Sequence, residues 1–266
     1  MCPTRLSTRV DLVSHSGDRA DGDFVQTLNL ADIHTTWVET CAVMGKSQVR
    51  VPEGLETLRQ QLPFPLCGID SDNGSEFINA HLVKYCRAHD VQFTRGRPYK
   101  KDDNAHIEQK NWTHVRKLMG YVRYDSAAAL TAMNAVYADL RLLHNLFLPS
   151  VKLQRKERHG ARLRRYYDAP QTPLDRVRAC PQATAVAVAA LLRQRDQLDP
   201  FALAARVDQQ LARLYTLANH TRAVPATTEG GAAAPAQNAC ATASPQRQTT
   251  PRPSVTPVMA RRSAVR

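Results

Sequence analysis

The stretch Gly68-Ile69-Asp70-Ser71-Asp72-Asn73-Gly74-Ser75-Glu76-Phe77 constrains this chain more than any other. Apolar residues lead into it (Phe64, Leu66, Ile69), an Asn-Gly pair closes it, and Phe77-Ile78 opens a new apolar run. It therefore reads as a buried strand that ends in a tight turn, with Asp72 at the strand's exposed end. Thirty-five residues separate Asp72 from Glu108, and a further carboxylate, Asp11, sits in the strand-like run Arg9-Val10-Asp11-Leu12-Val13. Three carboxylates gathered from two strands and a helix make a site for a divalent metal.

The rest of the pattern supplies a scaffold for such a site. After the strand carrying Asp11, Phe24 to Leu30 alternates at period two and Thr35 to Thr40 follows across a short connection, which predicts an antiparallel meander of three strands. Val51, Leu55, Leu58 and Leu62 recur at helical spacing, so a first helix leads into the strand before Asp72. A second helix is expected from about Asn79 to His89, and Val91-Gln92-Phe93-Thr94 reads as a fifth strand. Asn104 is a suitable N-cap for a helix that continues to about Gly120, with Glu108, Trp112, Val115 and Met119 along one side. A longer helix, about Ser126 to Leu146, completes an α/β domain over residues 1–150: a mixed five-stranded sheet with helices on both faces.

Beyond Pro149 the composition changes. Lys152, Arg155, Lys156, Arg158, Arg162, Arg164 and Arg165 crowd a segment in which Glu157 is the one acid. Residues 151–218 read as a basic, helical extension, with an amphipathic helix from Leu198 to Leu217 showing Phe201, Leu203, Val207, Leu211 and Leu214 on its inner side. Residues 219–266, rich in Ala, Pro and Thr, are too poor in large apolar side chains to order themselves.

A formal charge of +12 favours a polyanionic partner over a small neutral substrate. The six cysteines are scattered without a C-x-x-C pair, which fits reduced thiols in the cytoplasm better than a zinc site or a disulfide framework. The start lacks an apolar leader and no run approaches 18 apolar residues, so neither export nor membrane insertion is expected.

Each acid has an ordinary explanation when taken singly. An Asp before Asn-Gly serves a turn, and a Glu near a helix start is satisfied by the dipole. A lone Asp inside an apolar strand is harder to dismiss, because an unpaired buried carboxylate costs several kcal/mol. Together, strand-borne Asp11, strand-terminal Asp72 and helix-borne Glu108 fit a two-metal phosphoryl-transfer site, in which Mg²⁺ or Mn²⁺ offsets the repulsion between carboxylates. Asp70 rivals Asp72, since period two puts both on one strand face; the turn exposes Asp72 and favours it.

Ser71-Asp72-Asn73-Gly74-Ser75-Glu76-Phe77-Ile78-Asn79, Arg97-Pro98-Tyr99 and Asn104-Ala105-His106-Ile107-Glu108-Gln109-Lys110-Asn111-Trp112 together resemble the integrase catalytic core shared by retroviral integrases and bacterial insertion-sequence transposases. The resemblance spans about residues 9–150. It implies an RNase H-like fold, with Asp11, Asp72 and Glu108 as the catalytic triad holding two Mg²⁺ or Mn²⁺ ions, and DNA cleavage and strand transfer as the activity. Implied partners are DNA, as element ends and target duplex, and further copies of the chain assembled on it, in the bacterial cytoplasm at the nucleoid. Asp11 follows the start too closely to leave room for the recognition module such transposases carry, so a separate DNA-recognition subunit is a further expected partner. Phosphate contacts are expected from the loop residues Arg95, Arg97, Lys100 and Lys101, from Lys110, and from Lys152, Arg155, Lys156, Arg162, Arg164 and Arg165. Two rival readings are a catalytically silent DNA-binding remnant and a nuclease of the same fold acting on RNA·DNA hybrids.

Overall fold

A computed structural model describes residues 8–45, 50–71, 80–95 and 105–220. Strands β1 (Thr8–Ser14), β2 (Val25–Asp32) and β3 (Val38–Met44) form the expected antiparallel meander. The third begins at Val38 instead of Thr35, because the Asp32 carboxylate accepts from the Thr35 N–H and hydroxyl, each at 2.6 Å, and holds those residues in a turn. Helix α1 (Arg50–Gln61) precedes β4 (Gly68–Ser71), and α2 (Ala80–Ala88) lies between β4 and β5 (Gln92–Arg95). Both late strands run parallel to β1, giving a mixed five-stranded sheet in the order β3-β2-β1-β4-β5.

Two layers of helix cover this sheet. On one face Val10, Leu28, Leu30 and Ile69 pack against Val51, Leu55 and Leu58 of α1 and Leu82 of α2. On the other, Val13, Val25 and Ala42 meet two long helical rods. The first rod joins α3 (Ala105–Lys110), a π-helical segment (Asn111–Arg116) and α4 (Lys117–Met119). The second is α5 (Ala127–Leu142), started by Ser126, whose side chain accepts from the Ala129 N–H at 3.1 Å, and extended by a second π segment (Leu143–Phe147). All eight residues of β2 are buried, since this strand has neighbours on both edges and helices on both faces.

Nothing in the apolar spacing announces the π segments, and one of them corrects a sequence expectation. Trp112, expected in the core beside Val115 and Met119, is 53% exposed. The row that turns inward is Ile107, Asn111, Val115 and Met119, spaced by four throughout. A π turn takes in more residues than an α turn, so rows spaced by four stay aligned where a row mixing spacings of four and three drifts outward. Each π segment also turns a histidine inward, and His114 Nε2 meets His144 Nδ1 at 2.8 Å.

β3 forms one edge of the sheet, and its outward main chain is occupied by amide side chains. Asn145 Oδ1 accepts from the Val38 N–H at 3.1 Å while its Nδ2 donates to the Val38 carbonyl at 2.8 Å. Asn134 treats Ala42 in the same way, at 2.8 and 3.0 Å. Lower on the same strand Glu39, fully buried, accepts two hydrogen bonds from Arg141 of α5, both 2.7 Å, and one from Trp37 Nε1 at 2.8 Å. Burial pushes the Glu39 carboxyl above its ordinary range and Arg141 opposes that rise.

The basic segment is a two-stranded hairpin, not helix: β6 (Leu153–His159) pairs antiparallel with β7 (Arg162–Tyr167) around Gly160, whose φ is 61°. A glycine able to take the left-handed turn, followed by the strand-favouring Tyr166 and Tyr167, is the signal that the crowded charge obscures. Helices follow it: α6 (Pro173–Arg178), opened by a Thr172/Asp175 capping box, then α7 (Ala185–Asp196) and α8 (Pro200–Thr216). Leu174 and Val177 pack with Trp37 and Phe64, and Val207, Leu211 and Leu214 join the core against α5, so these helices share the sheet's interior. Phe201, expected on the inner side of α8, is 84% exposed because it lies off the buried row of Leu203, Val207, Leu211 and Leu214. Of residues 219–266 only Asn219 and His220 are described; Asn219 donates its N–H to the Arg123 carbonyl at 2.7 Å.

Two outcomes follow for stability. Arg141→Ala leaves the Glu39 carboxylate buried and half-answered, and urea titration should show a loss of about 3–5 kcal/mol, most of it regained in a Glu39→Gln/Arg141→Met double variant. His15 is held down at about 3 by burial and by Arg116, His144 at about 4 by burial and Lys110, and His114 well below its ordinary value by burial, His144 and Lys110. The unfolded chain therefore takes up protons below pH 6.5 that the folded chain refuses until pH 3–4. Stability present above pH 6.5 should drain away across that window, by up to about 1.4 kcal/mol per pH unit for each ring. Urea midpoints measured from pH 7 to 4 should fall less steeply for His15→Gln.

Candidate active site

Asp11 occupies the middle of β1, half-buried, on the sheet face over which α3 lies. Its Oδ1 accepts from the Leu12 N–H at 2.8 Å, and its Oδ2 accepts from Asn111 Nδ2 at 2.6 Å. The Asn111 side-chain oxygen in turn accepts from Asn29 Nδ2 at 2.8 Å, and Asn29 stands directly opposite Asp11 in the β1–β2 ladder. A relay from β2 through the helix to β1 thus fixes both the carboxylate and the helix that crosses above it.

Glu108 precedes Asn111 by three residues on the same helical rod and is exposed to solvent. Asp72, the third expected member, lies outside the described residues. Among the described residues no three His, Cys, Asp or Glu side chains gather around one point, and a complete carboxylate set would need Asp72.

Asp70 has a different environment. It shares the face of Asp11 and Arg9, its Oδ2 lies 3.2 Å from the Arg9 guanidinium, and its Oδ1 accepts from the Thr94 hydroxyl at 3.0 Å. Both oxygens are thereby engaged in binding β4 to its neighbours on either side, β1 and β5.

The cations expected to meet phosphate fall into three groups. Arg95 ends β5 exposed, with its guanidinium 6.0 Å from the Phe93 ring centroid, whereas Arg97, Lys100 and Lys101 lie outside the described residues, as does Tyr99. Lys110 is half-buried at the end of α3, where burial and Arg176 lower its pKa. Lys152 precedes the hairpin and donates to the His34 carbonyl at 2.8 Å. Arg155, Lys156, Arg162, Arg164 and Arg165 stand exposed on the hairpin itself, where Arg155 and Arg164 lie over the Tyr166 ring, 4.3 and 4.9 Å from its centroid.

Asn29 and Asn111 are absent from the sequence-predicted site, yet both leave a trace in the sequence. Asn29 interrupts the apolar run Leu28-Asn29-Leu30 in a strand, and a buried amide there requires a partner. Asn111 follows Glu108 at the spacing that puts both on one side of a helix.

No family model matches the chain. It is 44% identical over 172 residues to the uncharacterized protein y4rM of Sinorhizobium fredii (strain NBRC 101917 / NGR234), a match covering 65% of this chain and 49% of that protein. The chain spans about half the length of the curated relative it matches. Among solved structures, the catalytic core domain of BIV integrase aligns with a TM-score of 0.41 at 16% identity, covering 64% of this chain and 91% of that one. A chain of the simian T-cell lymphotropic virus intasome in complex with the PP2A regulatory subunit B56 gamma aligns with a TM-score of 0.36 at 15% identity, over 42% of this chain and 38% of that one.

The two engaged oxygens of Asp70 give a direct outcome. Asp70→Ala should lower the unfolding free energy by about 1–3 kcal/mol in chemical denaturation, through the Arg9 and Thr94 groups it strands.

Proposed function

We propose that this chain is a metal-dependent polynucleotidyl transferase of the integrase and transposase type, with an RNase H-like fold, which cuts DNA and joins strands during transposition. The observation that carries the reading is the Asn29–Asn111–Asp11 relay, which holds one carboxylate in mid-strand beneath a crossing helical rod, the rod on which Glu108 lies exposed. Asp72, which follows Ser71 of β4 in the sequence, is the third member of the set. Carboxylate oxygens suit hard divalent cations, so the donor chemistry of Asp11, Asp72 and Glu108 fits Mg²⁺ or Mn²⁺. Two such ions would activate water or a 3′-hydroxyl and stabilise the departing 3′-oxygen at phosphorus.

The chain's own residues would prepare that chemistry. Asn111 fixes the direction of the Asp11 carboxylate, so that little reorganisation is left when substrate arrives. Arg95, Lys110 and the hairpin cations would hold the phosphates on either side of the scissile bond, positioning DNA without reading its bases. Partners on this reading are the element's ends, a target duplex and further copies of the chain, acting at the nucleoid. Among the described residues no helix is long and apolar enough to cross a membrane.

The test is Mn²⁺-dependent cleavage and strand transfer on oligonucleotides carrying the element's own termini. Asp11→Asn, Asp72→Asn and Glu108→Gln should each remove activity by about a thousandfold while leaving DNA binding in EDTA unchanged. Asn111→Ala, which alters a positioning residue, should weaken Mn²⁺ binding in calorimetry by about 10- to 100-fold. Undiminished product from the carboxylate variants would overturn the reading.

A further inference from the structure

The hairpin does not lie free of the sheet. Between its inner face and the edge of α3 runs a cleft of about 670 Å³, whose ionisable lining is Arg9, Lys110, Lys152, Lys156 and Arg165 against the single acid Asp32. Asp32 is buried, and its Oδ2 accepts from the N–H and hydroxyl of Thr35, so it is one acid set against several cations. Among the described residues no carboxylate pairs with Lys110. Lys156 and Arg165 stand directly opposite each other in the hairpin ladder, an arrangement of like charges that destabilises a ribbon unless an anion lies between them. Two residues beyond Arg165, and so on the same face, Tyr167 also lines the cleft with 51% of its surface exposed.

We propose that this cleft binds a single strand of DNA, with phosphates against Lys110, Lys152, Lys156 and Arg165 and a base stacked on Tyr167. A positively charged groove bearing an aromatic ring is the arrangement that holds unpaired nucleic acid without regard to sequence. The dimensions agree, since a cavity of this size takes a drug-sized ligand or a few nucleotides, and a duplex would have to lie outside it. The position also agrees. Arg9, in the cleft wall, is two residues from Asp11 on the same face of β1, so the cleft shares a sheet face with that carboxylate. The inference rests on the function proposed above only for the choice of DNA as the polyanion; the binding itself needs neither metal nor catalysis.

Fluorescence anisotropy of a labelled thymidine 12-mer and of a 12-base-pair duplex, in EDTA, tests it. Wild type should bind the single strand. Tyr167→Ala should weaken that binding by about tenfold, Tyr167→Phe should retain it, and neither should change duplex binding by more than about twofold. Lys156→Gln/Arg165→Gln should weaken strand binding and flatten its dependence on salt. Unchanged strand affinity in a folded Tyr167→Ala protein would overturn the proposal. So would complete displacement of the strand by inorganic phosphate at millimolar concentration, which would mark an anion site alone. A protein that binds the strand through Tyr167 but never cuts DNA retires the proposed chemistry and leaves the cleft. One that cuts DNA while its strand binding ignores Tyr167 retires the cleft alone.

Discussion

A carboxylate in the middle of a central strand must be answered, and the answer to Asp11 is the amide of Asn111 at 2.6 Å. In the low dielectric between sheet and helix this charge-assisted bond is stronger than an ordinary amide contact, and leaving it unmade would cost more than most surface contacts return. Much of the local architecture follows. Asn29 orients the donor from the neighbouring strand, and Ile107, Val115 and Met119 turn inward in the same row as Asn111. The polar relay and the apolar packing beneath it agree on one placement of the helix, which is the consistency a uniquely folded chain requires.

Much of this architecture is legible in the amino-acid sequence. The meander, α1, the Asp70 strand, α2 and β5 all declare themselves by apolar period and turn residues, because each is short, half-buried and bounded by polar connections. The features that do not declare themselves share a physical cause. Trp112 and Phe201 are large and apolar, and their type argues for burial; their exposure depends on helix phase, which a π turn or a first turn alters by a fraction of a residue. The hairpin is masked by the seven cations of the basic segment, where Gly160 and the strand-favouring Tyr166 and Tyr167 carry the structural signal. At the site, residue type and spacing single out the carboxylates Asp11 and Glu108. They do not single out Asn29 and Asn111, which hold the Asp11 side chain, since an amide carries no charge pattern and reveals its role only through its neighbours.

The hairpin illustrates how charge and stability conflict. Two strands alone in water are marginal, and this pair adds like-charge neighbours across its ladder. Its support comes from the flanks. Lys152 reaches the His34 carbonyl, Asp168 accepts from the Lys152 N–H at 2.5 Å and pairs with Arg176 at 2.6 Å, and Arg176 donates to the Ser150 carbonyl at 2.7 Å. The ribbon is therefore anchored at its base, through the residues that flank its two strands.

The asparagines on β3 carry a consequence for how copies of this molecule could meet. By presenting one carbonyl and one amino group each to Val38 and Ala42, Asn134 and Asn145 imitate a strand where none lies, and they fill the bonds that an incoming chain would need. At those two positions a neighbouring strand would have to displace an amide to pair, which lowers the hazard of edge-to-edge aggregation.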